Sequence, residues 1–489
     1  MDHKKSNIIL EEYENKFSFK KSKTNLNIEF NRIAFIFFVF LIISIIFSIQ
    51  LLHLGSLKQV KKVTPVSNIK NYRADIMDRN GNYLAKTVSS IDIGINPVEI
   101  IDKQKLLINL KLLFPKKNYL EIKKKIDQNK FFYFEKKISL ENYEKIMLLG
   151  DKSIVPEEKL ARVYPQKNLF SHIIGQIDDD NQGISGIEKS FDDRLKQKKE
   201  PLKLTVDTDV QFLVREQLIK FNTIFRSKGA AAILMNVNNG EIISMVSYPD
   251  FDLNKREKIV DLDFINRATK GVYELGSVFK TFTVAAGLDQ NLIDVDTEFL
   301  DLPKSIRCAG QPIGEYSDNI PSDLTVEEIL IRSGNIGSVR IGQKLEIEKL
   351  KSFLEKVGVL NKIDFDIEEV GEPYPFKWGK CKLATVSFGH GITTTPLQLA
   401  KGYSIITNGG FDIKPTLIKR DENNIENKNR IIKEGISEKL NLILRKIVTN
   451  KEGTAELANI DGYEVGGKTG TAQKTTLGGY SNLKVNTFA

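Results

Sequence analysis

The longest apolar stretch of the chain lies near its N-terminus. Residues 33–49 are apolar except for two serines, and Leu51 and Leu52 extend the stretch. This is about the length needed to cross a bilayer, so the pattern predicts a membrane anchor over residues 33–52, preceded by a polar tail over residues 1–32. A cleaved signal peptide is the competing interpretation, but the stretch is long for one and no Ala-x-Ala site follows it.

Basic residues lie on both sides of the predicted anchor. Their small excess on the N-terminal side gives, by the positive-inside rule, a slight preference for a cytoplasmic tail. The residues are Lys20, Lys21, Lys23 and Arg32 before the anchor, and Lys58, Lys61 and Lys62 after it.

The segment after the anchor, residues 53–204, is predicted to form a separate domain. Asn80-Gly81 lies between apolar residues, which is the pattern of a hairpin turn. Residues 106–152 are rich in lysine and are predicted to be helical. No catalytic constellation surrounds the other motifs of this segment, so structural roles are predicted for them. These motifs are Arg73–Gly81, Arg162–Pro165, His172–Gly175 and Gly183–Glu188.

Residues 205–489 have the pattern of a compact α/β domain. Two apolar runs, residues 230–235 and 241–247, flank Asn239-Gly240, which predicts a hairpin. An apolar run from Phe279 predicts a buried helix. The other predicted elements are a mostly helical region around Ser333, a helix starting at Thr395-Pro396 with proline in its first turn, and a glycine-broken strand over residues 463–473.

Composition narrows the function classes. At 489 residues, two or three domains are expected, and an apolar fraction of 41% suits a globular protein. The net charge of +9 is spread along the chain, with no arginine-rich patch among aromatic residues, so nucleic acid is not an expected partner. Cys308 and Cys381 could form one disulfide or stay as thiols. No Cys/His cluster has metal-ligand spacing, so neither a metal nor another cofactor is expected.

Ser277 and Lys280 lie at the predicted start of the buried helix. Residues i and i+3 share a helix face, and the positive end of the helix dipole favours an alkoxide there. A serine hydroxyl needs a neighbouring base to act as a nucleophile, and a desolvated lysine can be that base. We therefore predict Ser277 as the nucleophile and Lys280 as its activator. The Ser-x-x-Lys spacing recurs three times elsewhere in the chain, so it carries little weight alone.

Two further motifs strengthen the prediction for Ser277 and Lys280. Ser333-Gly334-Asn335 alone is more often a helix cap or turn, and Lys468-Thr469-Gly470-Thr471 alone is more often a surface turn. The three motifs in this order, however, are the signature of penicillin-binding proteins and class A β-lactamases.

With these motifs the chain resembles a class B penicillin-binding protein, a monofunctional peptidoglycan transpeptidase. Three motifs look most like the cell-division (FtsI-type) branch, with the elongation branch as the alternative. They are Glu274–Ser277, Phe388–Gly391 and Gly467–Gln473. No glycosyltransferase-like segment lies between the predicted anchor and the domain of residues 53–204, which argues against the bifunctional class A proteins.

The resemblance implies an α/β (α+β) fold in four parts. They are a cytoplasmic tail (1–32), a transmembrane helix (33–52), an elongated pedestal of the dimerisation type (53–204), and a β-lactamase-like transpeptidase domain with an antiparallel sheet flanked by helices (205–489). The chain would be a single-pass protein of the bacterial inner membrane, with its catalytic domain in the periplasm. Expected partners are stem peptides, β-lactams, the membrane, a membrane-embedded glycan polymerase and other division proteins.

The family's chemistry implies a role for each matching residue. Ser277 would attack the carbonyl of the penultimate D-alanine of a stem peptide, and Lys280 would take its proton. The backbone N–H groups of Ser277 and Thr471 would form the oxyanion hole. Ser333 would relay a proton to the leaving amine.

The remaining motif residues would bind substrate. Asn335 would hydrogen-bond the substrate amide, while Lys468, Thr469 and Thr471 would hold the terminal carboxylate. Gly470 has no side chain, so the substrate backbone can lie close to the strand.

Three other classes compete with a transpeptidase. A β-lactam-sensing receptor would usually carry a cytoplasmic effector, which the short tail does not offer. A structural division protein would have a degenerate site, whereas the motifs here are intact. A β-lactamase or carboxypeptidase shares the motifs, but a β-lactamase would lack the pedestal and anchor.

Gly334, His390 and the C-terminus each bear on the resemblance. The family often has serine where Gly334 stands. His390 is predicted to be structural because glycines flank it, although it could be mistaken for a general base. Family members also continue for several dozen residues beyond the position of Ala489, so the chain is expected to be C-terminally incomplete, poorly stable and slow to acylate.

Overall fold

The computed structural model describes residues 26–56, 72–255, 264–419, 429–476 and 479–489. It divides into two compact units, residues 1–69 and residues 70–489, which are described separately. Most of the predicted tail, and the lysines that follow the anchor, lie outside the described residues.

The first unit contains one long helix, α1 (Leu26–Ser56). Its segment Ala34–Leu52 has a mean hydropathy of 2.9, is long enough to cross a membrane, and has no buried side chains. Apolar side chains that all face outward are stable in lipid and unfavourable in water. The helix therefore supports single-pass membrane anchoring, as predicted.

The N-terminal part of the second unit is built around the long strand β2 (Tyr83–Ile95). β2 pairs in antiparallel fashion with β1 (Ile76–Met77), β3 (Phe132–Ile138) and β4 (Ile154–Val163), and β1 pairs in parallel with β5 (Leu202–Lys203). The helices of this part are α2 (Lys103–Leu113), α3 (Tyr119–Asp127), α4 (Leu140–Met147), α5 (Ser171–Ile174), α6 (Gly186–Ser190) and α7 (Asp192–Gln197), together with a 3-10 turn at Pro97–Glu99.

The prediction that residues 106–152 are helical is wrong in the middle of that range, where β3 lies. Aromatic residues favour strands because they pack well on a half-buried sheet face. Phe132 pairs with Ile95 of β2, and Phe134 is buried against Phe114, with 5.3 Å between the ring centroids. Pairing with β2 thus outweighs the local preference of a lysine-rich segment.

A buried charge network joins this sheet to the short helices that follow it. Arg73 forms an ion pair with Glu188 and contacts Asp192 at 2.6 Å. The Nε atom of Arg162 donates to Glu188 Oε1 at 2.8 Å. Each of these charges has an opposite partner, which avoids the large cost of an unpaired buried charge. The pedestal motifs that contribute them therefore have structural contacts, as predicted.

The C-terminal part begins with α8 (Thr208–Phe225) and the predicted hairpin, β6 (Ala230–Met235) and β7 (Ile242–Tyr248). Its other helices are α9 (Phe279–Asp289), α10 (Val326–Ile331), α11 (Asn335–Lys356), α12 (Lys380–Val386), α13 (Pro396–Thr407) and α14 (Ile436–Thr449), with 3-10 turns at Gly276–Val278 and Glu456–Ala458. Its other strands are β8 (Glu298–Phe299), β9 (Ser305–Cys308), β10 (Gln311–Gly314), β11 (Leu324–Thr325), β12 (Thr469–Thr476) and β13 (Gly479–Phe488).

Helix α9 is the centre of the largest hydrophobic core, and every one of its residues is buried. Phe282 lies between the rings of Phe279 and Tyr403, at centroid distances of 5.6 and 5.4 Å. Helix α13 begins as predicted, with a capping box in which Gln398 N donates to Thr395 Oγ1 at 3.1 Å. The core therefore holds α9 rigidly from several sides.

The disulfide Cys308–Cys381 joins β9 to α12, which resolves the pairing that the sequence left open. β9 pairs with β10 in an antiparallel hairpin. The bond thus attaches this hairpin to the helical core across a sequence separation of 73 residues.

The predicted mixed α/β fold, with antiparallel sheets and helices, is confirmed. One strand boundary differs from the prediction, because β12 begins at Thr469 and not at residue 463. Lys468, directly before β12, still exchanges two backbone hydrogen bonds with Ala489. The residues before Lys468 contact α14: Gly467 N donates to Leu444 O, and Arg445 Nη1 donates to Val465 O at 2.6 Å. The domain boundaries placed at residues 52/53 and 204/205 stay predictions.

Candidate active site

Ser277 lies on the 3-10 turn Gly276–Val278, which leads directly into α9. Val278 and Phe279 are fully buried, whereas Ser277 is only partly buried. The hydroxyl of Tyr403 donates to the carbonyl oxygen of Val278 at 2.9 Å and fixes the turn. The helix thus begins with a tighter turn than predicted, and Ser277 stands at the accessible edge of a rigid element.

Lys280 is fully buried in the first turn of α9. Its Nζ atom donates to Ser333 Oγ at 3.1 Å and to Asn335 Oδ1 at 2.7 Å, and it also donates to the carbonyl oxygen of Ser333. These contacts join the first two motifs, which are more than 50 residues apart in sequence. Lys280 therefore links the helix that carries Ser277 to the Ser-Gly-Asn motif.

Two effects hold the pKa of Lys280 well below its ordinary value of 10.5. Burial disfavours the charged ammonium and is the larger effect, and the positive charge of Lys468 adds to it. The carboxylate of Glu315 acts in the opposite direction and raises this pKa. A lysine with a lowered pKa can be present as the neutral amine that a general base must be.

Ser333 has a left-handed backbone, with φ at +59°, immediately before α11. This conformation is uncommon outside glycine, and it directs both oxygen atoms of Ser333 toward Lys280. Asn335 is the first residue of α11, and its Nδ2 atom donates to Gly314 O at 2.8 Å. That bond fixes the amide so that Oδ1 faces Lys280.

Glu315 is a site residue that the sequence analysis did not single out. Its Oε2 atom accepts from Asn335 N at 2.7 Å, and its Oε1 atom accepts from Ile336 N at 2.8 Å. Helix α11 has Gly334 at its N-cap position, where no side chain is present to bind these N–H groups. The missing cap at Gly334 was the sequence signal that some other residue must accept these N–H groups, but it does not indicate which residue does so.

Lys468 immediately precedes β12 and is fully buried, which lowers its pKa to about 7. Its Nζ atom donates to Thr469 O at 3.0 Å and to Thr454 Oγ1 at 3.4 Å. The hydroxyls of Thr469 and Thr454 are 2.8 Å apart. Thr454 is therefore a second contact of the site that sequence reasoning missed, and it belongs to no recognisable motif.

Strand β12 packs directly against the Ser277 turn. Gly276 has φ at +69°, and a Cβ atom there would lie 2.5 Å from the carbonyl oxygen of Thr471. A Cβ atom at Gly470 would collide with the carbonyl oxygen of Leu275. The backbone of Thr471 thus lies beside the turn that carries Ser277, and an oxyanion hole formed by the N–H groups of these two residues needs this proximity.

The loop of residues 388–391 packs against Gly276 as well. A Cβ atom at Gly389, where φ is +87°, would collide with the carbonyl oxygen of Gly276. Glu274 Oε2 accepts from Gly391 N at 3.1 Å and lies 3.9 Å from His390 Nδ1. Burial lowers the pKa of His390 below its ordinary 6.5. These contacts support the structural role predicted for the loop.

The structure brings the predicted site residues together on three elements. Ser277 and Lys280 belong to the turn and α9, Ser333 and Asn335 to the start of α11, and the remaining four to the start of β12. Those four are Lys468, Thr469, Gly470 and Thr471. Their chemical roles stay predictions. Within the described residues, no group of three or more His, Cys, Asp or Glu side chains could hold a metal ion.

Comparisons with known proteins match most of the chain to two family models. Residues 230–489 match the family model "Penicillin binding protein transpeptidase domain", and residues 68–219 match "Penicillin-binding Protein dimerisation domain". "Stage V sporulation protein D" of Bacillus subtilis is 30% identical, over 83% of this chain and 70% of the relative.

Several relatives carry a division-type name, among them these two. "Probable peptidoglycan D,D-transpeptidase FtsI" of Caulobacter vibrioides is 29% identical, over 83% of this chain and 70% of the relative. "Peptidoglycan D,D-transpeptidase FtsI" of Buchnera aphidicola subsp. Baizongia pistaciae is 28% identical, over 85% and 79% respectively. Because one family model alone matches more than half of the chain, and a second matches the region before it, this chain belongs to the penicillin-binding protein transpeptidase family.

Proposed function

We propose that this chain is a serine D,D-transpeptidase that cross-links peptidoglycan stem peptides at the division septum and is acylated by β-lactams. The observation that carries the proposal is the set of hydrogen bonds from Lys280 Nζ to Ser333 and Asn335. It joins two motifs around one buried amine, while β12 brings the third motif against the Ser277 turn. These contacts support a site in which Ser277 would be the nucleophile, Lys280 the base, Ser333 the relay, and the N–H groups of Ser277 and Thr471 the oxyanion donors.

In the acylation step, Ser277 Oγ attacks the carbonyl carbon of the penultimate D-alanine, and its proton passes to neutral Lys280 Nζ. The negative charge that develops on the carbonyl oxygen is stabilised by the N–H groups of Ser277 and Thr471. The C–N bond to the terminal D-alanine then breaks. The proton held by Lys280 reaches the leaving amine through Ser333 Oγ, which lies 3.1 Å from Nζ.

The remaining motif residues position the donor peptide. An amide nitrogen carries two hydrogens, and only one of those on Asn335 Nδ2 is needed for the bond to Gly314 O. The other is available for a carbonyl of the stem peptide. The hydroxyls of Thr469 and Thr471 contact the terminal carboxylate, and the charge of Lys468 behind them supports its binding.

In the second step, an amine of a neighbouring stem peptide attacks the ester carbon. A C–N bond forms, the bond to Ser277 Oγ breaks, and Ser277 regains a proton through Lys280. The product is a cross-link. A β-lactam-sensing receptor would stop at the acyl-enzyme, so release of D-alanine from a stem-peptide donor over many turnovers distinguishes the enzyme from a sensor.

The septal assignment is supported by relatives that carry the name FtsI. An elongation-type transpeptidase is the alternative. A functional fluorescent fusion that concentrates at mid-cell supports the septal role, and a fusion spread along the side wall supports the alternative. At the septum we expect a membrane-embedded glycan polymerase and other division proteins as partners.

The catalytic unit is proposed to face the periplasm. Disulfides form and persist in oxidising compartments, of which the periplasm is one, and the second unit contains Cys308–Cys381. Protease added to spheroplasts should degrade this unit and leave a small N-terminal fragment. Full protection of the chain would contradict this orientation.

The direct test of the proposed function is intact-mass measurement after penicillin treatment. One adduct is expected on the wild-type chain, and none on Ser277→Ala. Ser481→Ala is the matched control, because Ser481 has the same spacing to a lysine in β13, and it should keep the adduct. An adduct that persists in Ser277→Ala would overturn the assignment of the nucleophile.

A further inference from the structure

The segment Gly314–Tyr316 holds the Ser-Gly-Asn motif from outside the motif itself. The carboxylate of Glu315 accepts the backbone N–H groups of Asn335 and Ile336, at 2.7 and 2.8 Å. The carbonyl oxygen of Gly314 accepts from Asn335 Nδ2 at 2.8 Å. The hydroxyl of Tyr316 donates to Arg332 O at 2.9 Å, just before the motif. Among these contacts, only the two made by Glu315 involve a charge.

Glu315 replaces the cap that α11 lacks. A helix start leaves backbone N–H groups without partners inside the helix, and a serine, threonine or aspartate at the N-cap usually binds one of them. Gly334 occupies that position here and makes no side-chain cap. A carboxylate at a helix N-terminus is also favoured by the helix dipole. Glu315 therefore fixes the backbone at the point where α11 presents Asn335 to Lys280.

Glu315 also enters the charge balance around Lys280. The charged groups that act on Lys280 from neighbouring elements are Lys468, at the start of β12, and Glu315, after β10. Lys468 disfavours the protonated form of Lys280, and Glu315 favours it. The neutral groups that contact Lys280 Nζ are Ser333 and Asn335.

We propose that Glu315 is a positioning residue for acylation: its carboxylate fixes the start of α11 so that Ser333 and Asn335 hold Lys280, and its negative charge opposes the effect of the Lys468 charge on Lys280. This inference rests on the proposed function. It assigns two separable tasks to one side chain, a geometric one through the hydrogen bonds and an electrostatic one through the charge.

The variant Glu315→Gln removes the charge and, because an amide nitrogen cannot accept, one of the two hydrogen bonds. Acylation requires neutral Lys280, so its rate rises as pH rises through the pKa of Lys280. Since Glu315 raises that pKa, its neutralisation should move the acid limb of the pH–rate profile to lower pH, by about one unit. The plateau rate should also fall, by about 10- to 100-fold, because the motif is held less accurately.

A second substitution separates the two tasks. Gly334 has φ −63° and ψ 128°, a conformation that serine adopts freely at an N-cap. A Cβ atom there has no neighbour nearer than 3.7 Å, so the side chain fits. Gly334→Ser in the Glu315→Gln background should therefore recover most of the plateau rate, while the acid limb stays at its lowered pH.

The experiment uses the full chain in detergent and measures the rate of labelling by a fluorescent penicillin from acid to alkaline pH. Failure of the wild-type chain to label would count against the proposed function and not against Glu315 specifically. Asp318→Asn is the charge control, because it removes an exposed carboxylate from the same loop, and its profile should match the wild type.

Two results would overturn the inference once wild-type labelling is established. One is an acid limb that does not move in Glu315→Gln. The other is a plateau rate in Glu315→Gln equal to that of the wild type. If Glu315→Gln does not fold, Glu315→Asp makes the complementary test, because it keeps the charge on a shorter side chain. It should lower the plateau rate and leave the acid limb in place, and a displaced limb would contradict the electrostatic role.

Discussion

An alanine at Gly276 is expected to disable acylation, because several backbone segments meet at this residue. A Cβ atom there would lie 2.5 Å from Thr471 O and 2.8 Å from Thr471 N. These distances are shorter than any van der Waals contact, and both atoms belong to backbone that cannot rotate away. Since Gly389 also packs against Gly276, the substitution should push β12 away from the Ser277 turn.

The size of the effect follows from two contributions. The left-handed backbone at Gly276, with φ at +69°, disfavours alanine by about 1–2 kcal/mol. Displacement of Thr471 removes one of the two proposed oxyanion donors, and loss of one such donor slows catalysis by about 10²–10³-fold. Gly276→Ala should therefore lower the acylation rate at least ~100-fold, with a comparatively small loss of folding free energy.

Gly435→Ala is the matched control. Gly435 also has a left-handed backbone, with φ at +80°, but a Cβ atom there meets nothing within 4 Å. It should lose stability without a comparable loss of acylation. The assay is the second-order rate of labelling by a fluorescent penicillin, combined with thermal unfolding of each variant. If Gly276→Ala labels as fast as Gly435→Ala, the close approach of β12 to the turn does not set the oxyanion geometry.

Three further predictions concern the lysines and the disulfide. Lys280→Arg keeps the charge but cannot deprotonate, so acylation should collapse in a variant whose thermal unfolding shows that it still folds; near-normal labelling would mean that another group is the base. The rate of acylation of the free enzyme should rise as Lys280 loses its proton and fall as Lys468, with a pKa of about 7, loses its own. Lys468→Arg should remove that alkaline limb, and a limb that survives would assign it to another group. The double substitution Cys308→Ser/Cys381→Ser opens a loop of 73 residues and should lower the free energy of unfolding by up to about 4 kcal/mol, whereas an unchanged melting temperature would show that the bond does not stabilise the fold.

The local sequence pattern was sufficient to predict much of the structure of this protein. The anchor, the β6–β7 hairpin and the start of α13 depend on residues close together in sequence, and each was predicted from apolar periodicity or turn chemistry. The order of the three motifs similarly predicted the family, because each motif is a short segment with its own chemistry. The prediction of a helix at β3 was wrong because β3 is stabilised by a contact that is not local: its pairing partner β2 lies some 40 residues away along the chain.

Only the tertiary structure determined the contacts between segments that are distant in sequence. Glu315 and Thr454 join the site without belonging to a motif, and no local spacing predicts either of them. The same holds for the Cys308–Cys381 bond and for the closeness of Gly276 to Thr471. The sequence alone predicted which groups would do the chemistry, because nucleophile, base and binding motif are recognised by residue type and short spacing. Their distances, burial and charge balance depend on packing across the whole domain, and so only the folded structure determines them.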